Sequence, residues 1–209
     1  MELVRLDRVR DLWRLYRLRR RLLFCGDGVH IASSVRIERA DKICLEHFCG
    51  LYHGAILVGE SRASTGIFLG AGSAIREYAY LNAYSGFIMT GPNVYIGQGS
   101  VICGHGGIEI GANTMISQLC SITASTHVFQ DVEVPLRFQG ETSRGIRIGT
   151  DVWVAARVSI ADGVTIGDHA VIGTGSVVAR DVPAWAVASG NPARVLYDRR
   201  EAERHHASF

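Results

Sequence analysis

Eight histidines and five cysteines are the side chains of this 209-residue chain best suited to proton transfer, nucleophilic attack or metal ligation. The cysteines (Cys25, Cys44, Cys49, Cys103 and Cys120) are odd in number and form no C-x-x-C pair. That pattern reads as reduced, buried thiols in a cytoplasmic protein. The histidines are His30, His47, His53, His105, His127, His169, His205 and His206. His127 has a distinctive context: it closes a regular stretch of sequence and precedes 20 residues (VFQDVEVPLRFQGETSRGIR) in which the regularity is lost. Asp131, Glu133, Arg137, Gln139, Glu141 and Arg144 make that stretch polar enough to meet a hydroxylated substrate. A neutral imidazole there can accept a proton from a hydroxyl or an amine near pH 7. The plain alternative is a solvated histidine beside an ordinary surface loop.

The regular stretches must position these groups. Six hexapeptides run in phase from Ile148 to Pro183: IGTDVW, VAARVS, IADGVT, IGDHAV, IGTGSV, VARDVP. First positions are Ile or Val, second positions Gly or Ala, fifth positions Val, Ala or Ser. A period of six fits neither a helix nor an amphipathic strand, and fixed-period similarity marks a stacked solenoid. Ile110, Ile116 and Ile122 open three more frames that end on His127, and Ile96 and Ile102 open two before Ile108-Glu109 inserts two residues. Leu69, Ile75 and Leu81 open weaker frames, and Ile31, Ile37 and Ile43 the weakest. Each frame predicts a short strand and a turn, and three frames a triangular coil of 18 residues stacked about 4.8 Å above the last. First-position aliphatics should fill the prism, and second positions should be small because the chain turns there. The expected fold is all-β, a parallel β-helix over 29–183 with an extruded loop at 128–147.

Both ends fall outside the repeat. Residues 1–28 read as a basic amphipathic helix: the first 25 hold eight arginines and three acids, with Leu3, Leu6, Val9, Trp13 and Tyr16 near helical spacing. It would cap the first coil, whose strand edges need covering, or contact an anionic membrane surface. Residues 184–209 read as a C-terminal hook or short helix. A net charge of +2 gives no reason to expect nucleic acid. No membrane span and no signal peptide are visible, so the expected location is cytoplasmic, at the inner membrane face if the helix binds lipid.

Three stretches together carry a more specific resemblance: IGANTMISQLCSITASTH, the run from Ile148 to Pro183, and SGNPARVL. Over roughly residues 65–197 the chain resembles the hexapeptide-repeat acyltransferases with left-handed β-helix folds. It is most similar to the small-sugar and exopolysaccharide O-acetyltransferases. The resemblance implies an acetyl-CoA-dependent transfer within a ternary complex, without an acyl-enzyme and without metal. It makes His127 the general base. It places Trp153, Ala156, Thr174, Ala179, Arg180 and Arg194 along acetyl-CoA, with the two arginines suited to its phosphates. Trp153 is equally well read as an external aromatic packing on a neighbouring subunit. Ala156 offers no side-chain donor, so a backbone N–H would have to serve the oxyanion. His105 falls where the small-sugar enzymes carry an acidic sugar ligand, and Asn82, with Tyr84, lies one coil earlier. His105 and Asn82 are therefore the acceptor-side candidates.

The implied acceptor is a sugar of a surface polysaccharide or lipopolysaccharide, and the implied assembly is a homotrimer with active sites between subunits. Two alternatives stay open. One is N-acetylation of a nucleotide-linked amino sugar. The other is a metal site like that of the γ-class carbonic anhydrases, although no two histidines have the five-residue spacing such a site uses.

Overall fold

The computed structural model describes residues 13–204. Three parallel sheets wrap a continuous aliphatic core. Among the described residues, the first face has seven strands, from Phe24–Cys25 through Ile108–Ile110 and Ile146–Ile148 to Thr165–Ile166. The second has nine, eight of them parallel from His30–Ile31 through Trp153–Val154 to Ala186–Gly190 and the last, Ala193–Asp198, antiparallel; the third has seven, from Arg36–Glu38 to Val177–Val178. Of the frame-opening residues, Ile37 is partly buried and the others, from Ile31 to Val178, are buried. The prism is the one the repeat predicted. No helix among the described residues is long and apolar enough to cross a membrane.

The small second position has a different cause from the one expected. The turn is made at the fourth position, where Asn113, Asp151, Arg157 and His169 have positive φ. Gly111, at a second position, sits where the next coil passes: a Cβ there would come within 2.5 Å of the Gly149 carbonyl carbon and the Thr150 nitrogen. Close stacking of corners excludes a side chain at this point. Buried hydroxyls clip neighbouring corners together. Ser100 Oγ donates to the Ser117 carbonyl (2.9 Å) and accepts from Cys120 N–H (3.2 Å), and Thr114 Oγ1 donates to the Gly149 carbonyl (2.8 Å).

The 18-residue coil holds only in the C-terminal half, where Arg147 pairs with Thr165, Trp153 with Val171 and Ser159 with Val177. Upstream, Phe24 pairs with Cys44 and Ile88 with Ile108, a step of 20. The extra two residues lie on the first face, where strands such as Ile108–Ile110 turn two side chains inward and one out. Tyr80 stacks on Ile56, a step of 24, and Val101 on Tyr80, a step of 21. These insertions bulge at corners and leave all three ladders unbroken, which is why the upstream phase looked weak.

The ends also differ from the reading of the sequence. Residues 1–12 of the expected N-terminal helix, and 205–209 at the other end, lie outside the described residues. Trp13–Arg19 are helical, but by Phe24–Cys25 the chain is already a strand on Cys44–Leu45. The first coil therefore starts inside the stretch read as helix, because Leu22 turns into the core and Leu23 N–H bonds to the Ile43 carbonyl (2.9 Å). At the other end Leu196 is not helical. Ala193–Asp198 is a strand that returns antiparallel on Ala186–Gly190, followed by a 3-10 segment at Arg199–Arg204. Asp151 holds this segment to the prism: it pairs with His169 Nδ1 (3.0 Å) and Arg199 Nη1 (3.3 Å), and those bonds, His169 first, lower its pKa. His169 stacks on Trp185 at 4.0 Å.

The core row should behave as one continuous unit. Ile102→Ala is expected to destabilise the fold by about 2–5 kcal/mol, the usual cost of truncating a buried Ile. Chemical denaturation of the two proteins measures it.

Candidate functional site

Successive coils place one corner of each above the next. Asn82, Cys103 and Thr123 are register partners at the end of the third face. The residues just after them, Tyr84, His105 and the Ala124–His127 segment, therefore stack along the corner joining the third face to the first. Gly86 lets this corner close, since a Cβ there would lie 2.0 Å from the His105 carbonyl oxygen.

The excursion leaves from this corner. It is a hairpin: Thr126–His127 pairs antiparallel with Glu141–Thr142, with His127 opposite Glu141. The coil resumes at Ile146, which pairs with Ile108, two residues before the expected restart. Buried Asp162 anchors the return by accepting from Arg144 N–H (2.9 Å) and Gly145 N–H (3.0 Å).

Glu141 thereby lies between two imidazoles. Its Oε1 is 3.5 Å from His127 Nε2, and its Oε2 is 3.9 Å from His105 Nδ1. The His127 side chain is 67% exposed, that of His105 24%. The His105 ring stacks on Tyr84 at 4.5 Å and 8°. Asn82, nearly buried, accepts from Tyr84 N–H (2.9 Å) and donates to Tyr80 Oη (2.7 Å). The two phenols meet at 3.4 Å. That bond, followed by burial, pushes the Tyr84 hydroxyl up to about 12, so it stays protonated through the neutral range. The arrangement offers an exposed imidazole next to a carboxylate, with hydroxyl, amide and ring surface alongside.

Three of the candidates, His127, His105 and Asn82, thus share one corner. Ala179 and Arg180 are exposed at that same corner two coils further on. Trp153, Ala156 and Thr174 do not join them. Ala156 and Thr174 lie at the corner joining the second face to the third, and Trp153 lies in the second-face strand that leads into it, so the width of the third face separates them from His127. Arg194 is on this second corner too, paired with Ser189. Trp153 Nε1 donates to Ser117 Oγ (3.3 Å), and the Ala156 carbonyl already accepts from Gly175 N–H (2.9 Å). Nothing lies within 4 Å of a Cβ built on Gly175, so a narrow chain can run along this corner.

In the sequence Glu141 is one of six polar residues in an aperiodic stretch, and Tyr80 carries no mark of function. No sequence signal pairs Glu141 with His127, because the pairing comes from an antiparallel return that breaks the repeat. Tyr80 was visible in principle, since it occupies the same phase as Val101 and Ser121.

The thiols suit no nucleophilic role. Burial pushes Cys44 and Cys49 up to about 11, and it also raises Cys25, Cys103 and Cys120. Raised thiols have little thiolate at neutral pH. Among the described residues, no three His, Cys, Asp or Glu side chains are arranged to hold a metal ion.

Comparison with known proteins gives a consistent picture. The family model for the bacterial transferase hexapeptide (six repeats) matches residues 145–180. The galactoside O-acetyltransferase of Escherichia coli (strain K12) is 36% identical over 125 residues, 59% of this chain and 60% of that protein. WcaF of the same organism, whose name assigns it to colanic acid biosynthesis as an acetyltransferase, is 38% identical over 98 residues, 47% of this chain and 51% of that one. A solved galactoside acetyltransferase in complex with coenzyme A superposes with a TM-score of 0.54 at 30% identity, covering 69% of this chain and 68% of that one. The chain spans about half the length of the curated relatives it matches.

The phenol pair gives a direct check on this geometry. Tyr80→Phe removes the main cause of the Tyr84 shift, so Tyr84 should ionise lower, moving from about 12 toward its ordinary value of 10. Ultraviolet titration of Tyr80→Phe, with Tyr80→Phe/Tyr84→Phe as the blank, reads the change.

Proposed function

The chain belongs to the hexapeptide-repeat acyltransferases, and from that premise we propose that it moves an acetyl group from acetyl-CoA to a hydroxyl of a sugar. The acceptor we propose is a unit of a surface polysaccharide or lipopolysaccharide. The observation that carries this reading is the corner cluster in which Glu141 joins His127 to His105 beside Tyr84 and Asn82.

His127 takes the proton from the acceptor hydroxyl as its oxygen attacks the thioester carbonyl. Glu141 stabilises the resulting imidazolium, and His127 then returns the proton to the departing thiolate sulfur as the C–S bond breaks. The acceptor keeps the acetyl group, and no cysteine enters the sequence of bonds. Tyr84 and Tyr80 offer ring faces on which a sugar can stack, and Asn82 holds Tyr84 in place. A histidine at position 105, where the small-sugar enzymes carry an acidic ligand, supports an acceptor other than a simple galactoside. The name of WcaF points to polysaccharide.

The acetyl-CoA arm is proposed to run along the corner of Ala156 and Thr174, with Trp153 beside the acyl end and Arg194 toward the phosphates. Because a face's width separates that corner from His127, one chain does not complete the site alone. We place His127, Ala179 and Arg180 of one chain opposite Trp153, Ala156, Thr174 and Arg194 of its neighbour in a parallel trimer.

Acetyl-CoA calorimetry and a chromatographic assay over a panel of sugars test the reading. His127→Ala should lower kcat by about 10²–10⁴ while acetyl-CoA binding persists. Glu141→Gln should cause a smaller loss, and Arg180→Ala or Arg194→Ala should weaken binding. Product acetylated at nitrogen would move the assignment to an amino-sugar N-acetyltransferase, and no binding at millimolar acetyl-CoA would refute it.

Assembly has its own test. A variant shown by sedimentation to be a folded monomer should be inactive, and an active monomer would refute the shared site.

A further inference from the structure

The helix at the N-terminal end of the prism uses one face as a cap. Leu15, Leu18 and Leu22, at spacing i, i+3, i+7, turn toward the core, and Arg14 donates to the carbonyls of Ser33 and Val35 while Arg19 donates to that of Val29. The helix also has a second surface, to which Arg14 contributes while it caps. Arg14, Arg17 and Arg21 repeat the same spacing one residue earlier. With Trp13 and Arg36 they line a concavity of about 860 Å³ against Ser34–Ile37. The side chains of Arg17 and Arg21 make no hydrogen bond or ion pair among the described residues. From Trp13 to Gly26 the sequence holds five arginines and no acid, and among the cations lining the concavity Arg36 is paired with Glu38.

The same end displays apolar surface. Trp13 is 60% exposed and Tyr16 53%, and Leu23 and Phe24 are exposed beside them. Trp13 and Tyr16 meet edge to face at 6.1 Å, and Arg20 caps the Tyr16 ring. A site for a soluble anion would need the arginines alone. Exposed Trp, Tyr, Leu and Phe bordering a cluster of arginines are the two halves of an interfacial membrane anchor: rings at the headgroup boundary, guanidiniums on lipid phosphates.

We propose that this end of the prism binds the surface of an anionic phospholipid bilayer, with headgroup phosphates in the concavity of Arg14, Arg17, Arg21 and Arg36 and with Trp13 and Tyr16 at the acyl boundary. The parallel trimer proposed above would present three such ends in one plane and multiply the avidity. The site itself needs only one chain.

Co-sedimentation of the full chain with vesicles tests this without any catalytic readout, so its outcome is separate from that of the acetyltransfer assay. Vesicles of phosphatidylcholine with about one-third phosphatidylglycerol should carry the protein down, vesicles of phosphatidylcholine alone should not, and high salt should release it. Arg17→Glu/Arg21→Glu, which leaves the capping residues intact, should weaken partitioning at least about 25-fold. Trp13→Ser should weaken it with less effect on salt sensitivity. Thermal unfolding verifies that each variant is folded. If the double variant is not, Trp13→Ser and the salt dependence of the wild type decide. Equal binding to neutral and anionic vesicles, or binding to neither, overturns the proposal. So does release by millimolar inorganic phosphate at matched ionic strength, which would assign the concavity to a soluble phosphate.

Discussion

Everything in this molecule depends on each coil lying one strand spacing above the last without losing register. Parallel pairing on three faces is possible only if the corners approach as closely as the strands do, and Gly111 under the Gly149–Thr150 peptide shows how little room remains. The inward row of Ile, Leu and Val makes that approach favourable: a single coil has no interior, while a stack has a continuous one. Steps of 20, 21, 24 and 18 residues occur in one prism because each extra residue is taken up in a corner or as a second inward side chain. The ladder stays regular and the loops absorb the variation.

This stacking also builds the site. A corner is where consecutive coils bring residues about 20 apart in sequence within contact, and Tyr84 stacked on His105 is an instance. The hairpin at 126–142 adds what a corner cannot. Its antiparallel return delivers Glu141 from 14 residues beyond His127 to the imidazole itself. Both partners ride on the hairpin, and buried Asp162 fixes its return to the prism through backbone donors. The buried thiols contribute packing, and their raised pKa values keep them out of the chemistry.

A stack of parallel strands has two open ends, and the chain treats them differently. At the N-terminal end a short helix lays its leucines on the first coil and keeps its arginines and rings outside. At the C-terminal end Ala193–Asp198 folds back as an antiparallel strand, and the Asp151–His169–Arg199 group ties it down.

The repeat made the prism, its inward residues and the place where the chain leaves it readable from sequence. Each of those is a local demand: an aliphatic where a strand faces the core, a small residue where the next corner passes, a residue tolerating positive φ where the turn is made. His127 and the loop after it stood out for the same reason, as the point where those demands stop. The sequence did not reveal the coil lengths of the N-terminal half, the early start of the first strand at Phe24, the final strand through Leu196, the partnership of His127 with Glu141, or the division of the candidate residues between two corners. Those depend on how many residues each coil contains and on which distant backbone each strand meets. Only the folded chain settles such quantities, because corners take up inserted residues while the ladders keep register, and the repeat does not say how many residues each corner holds.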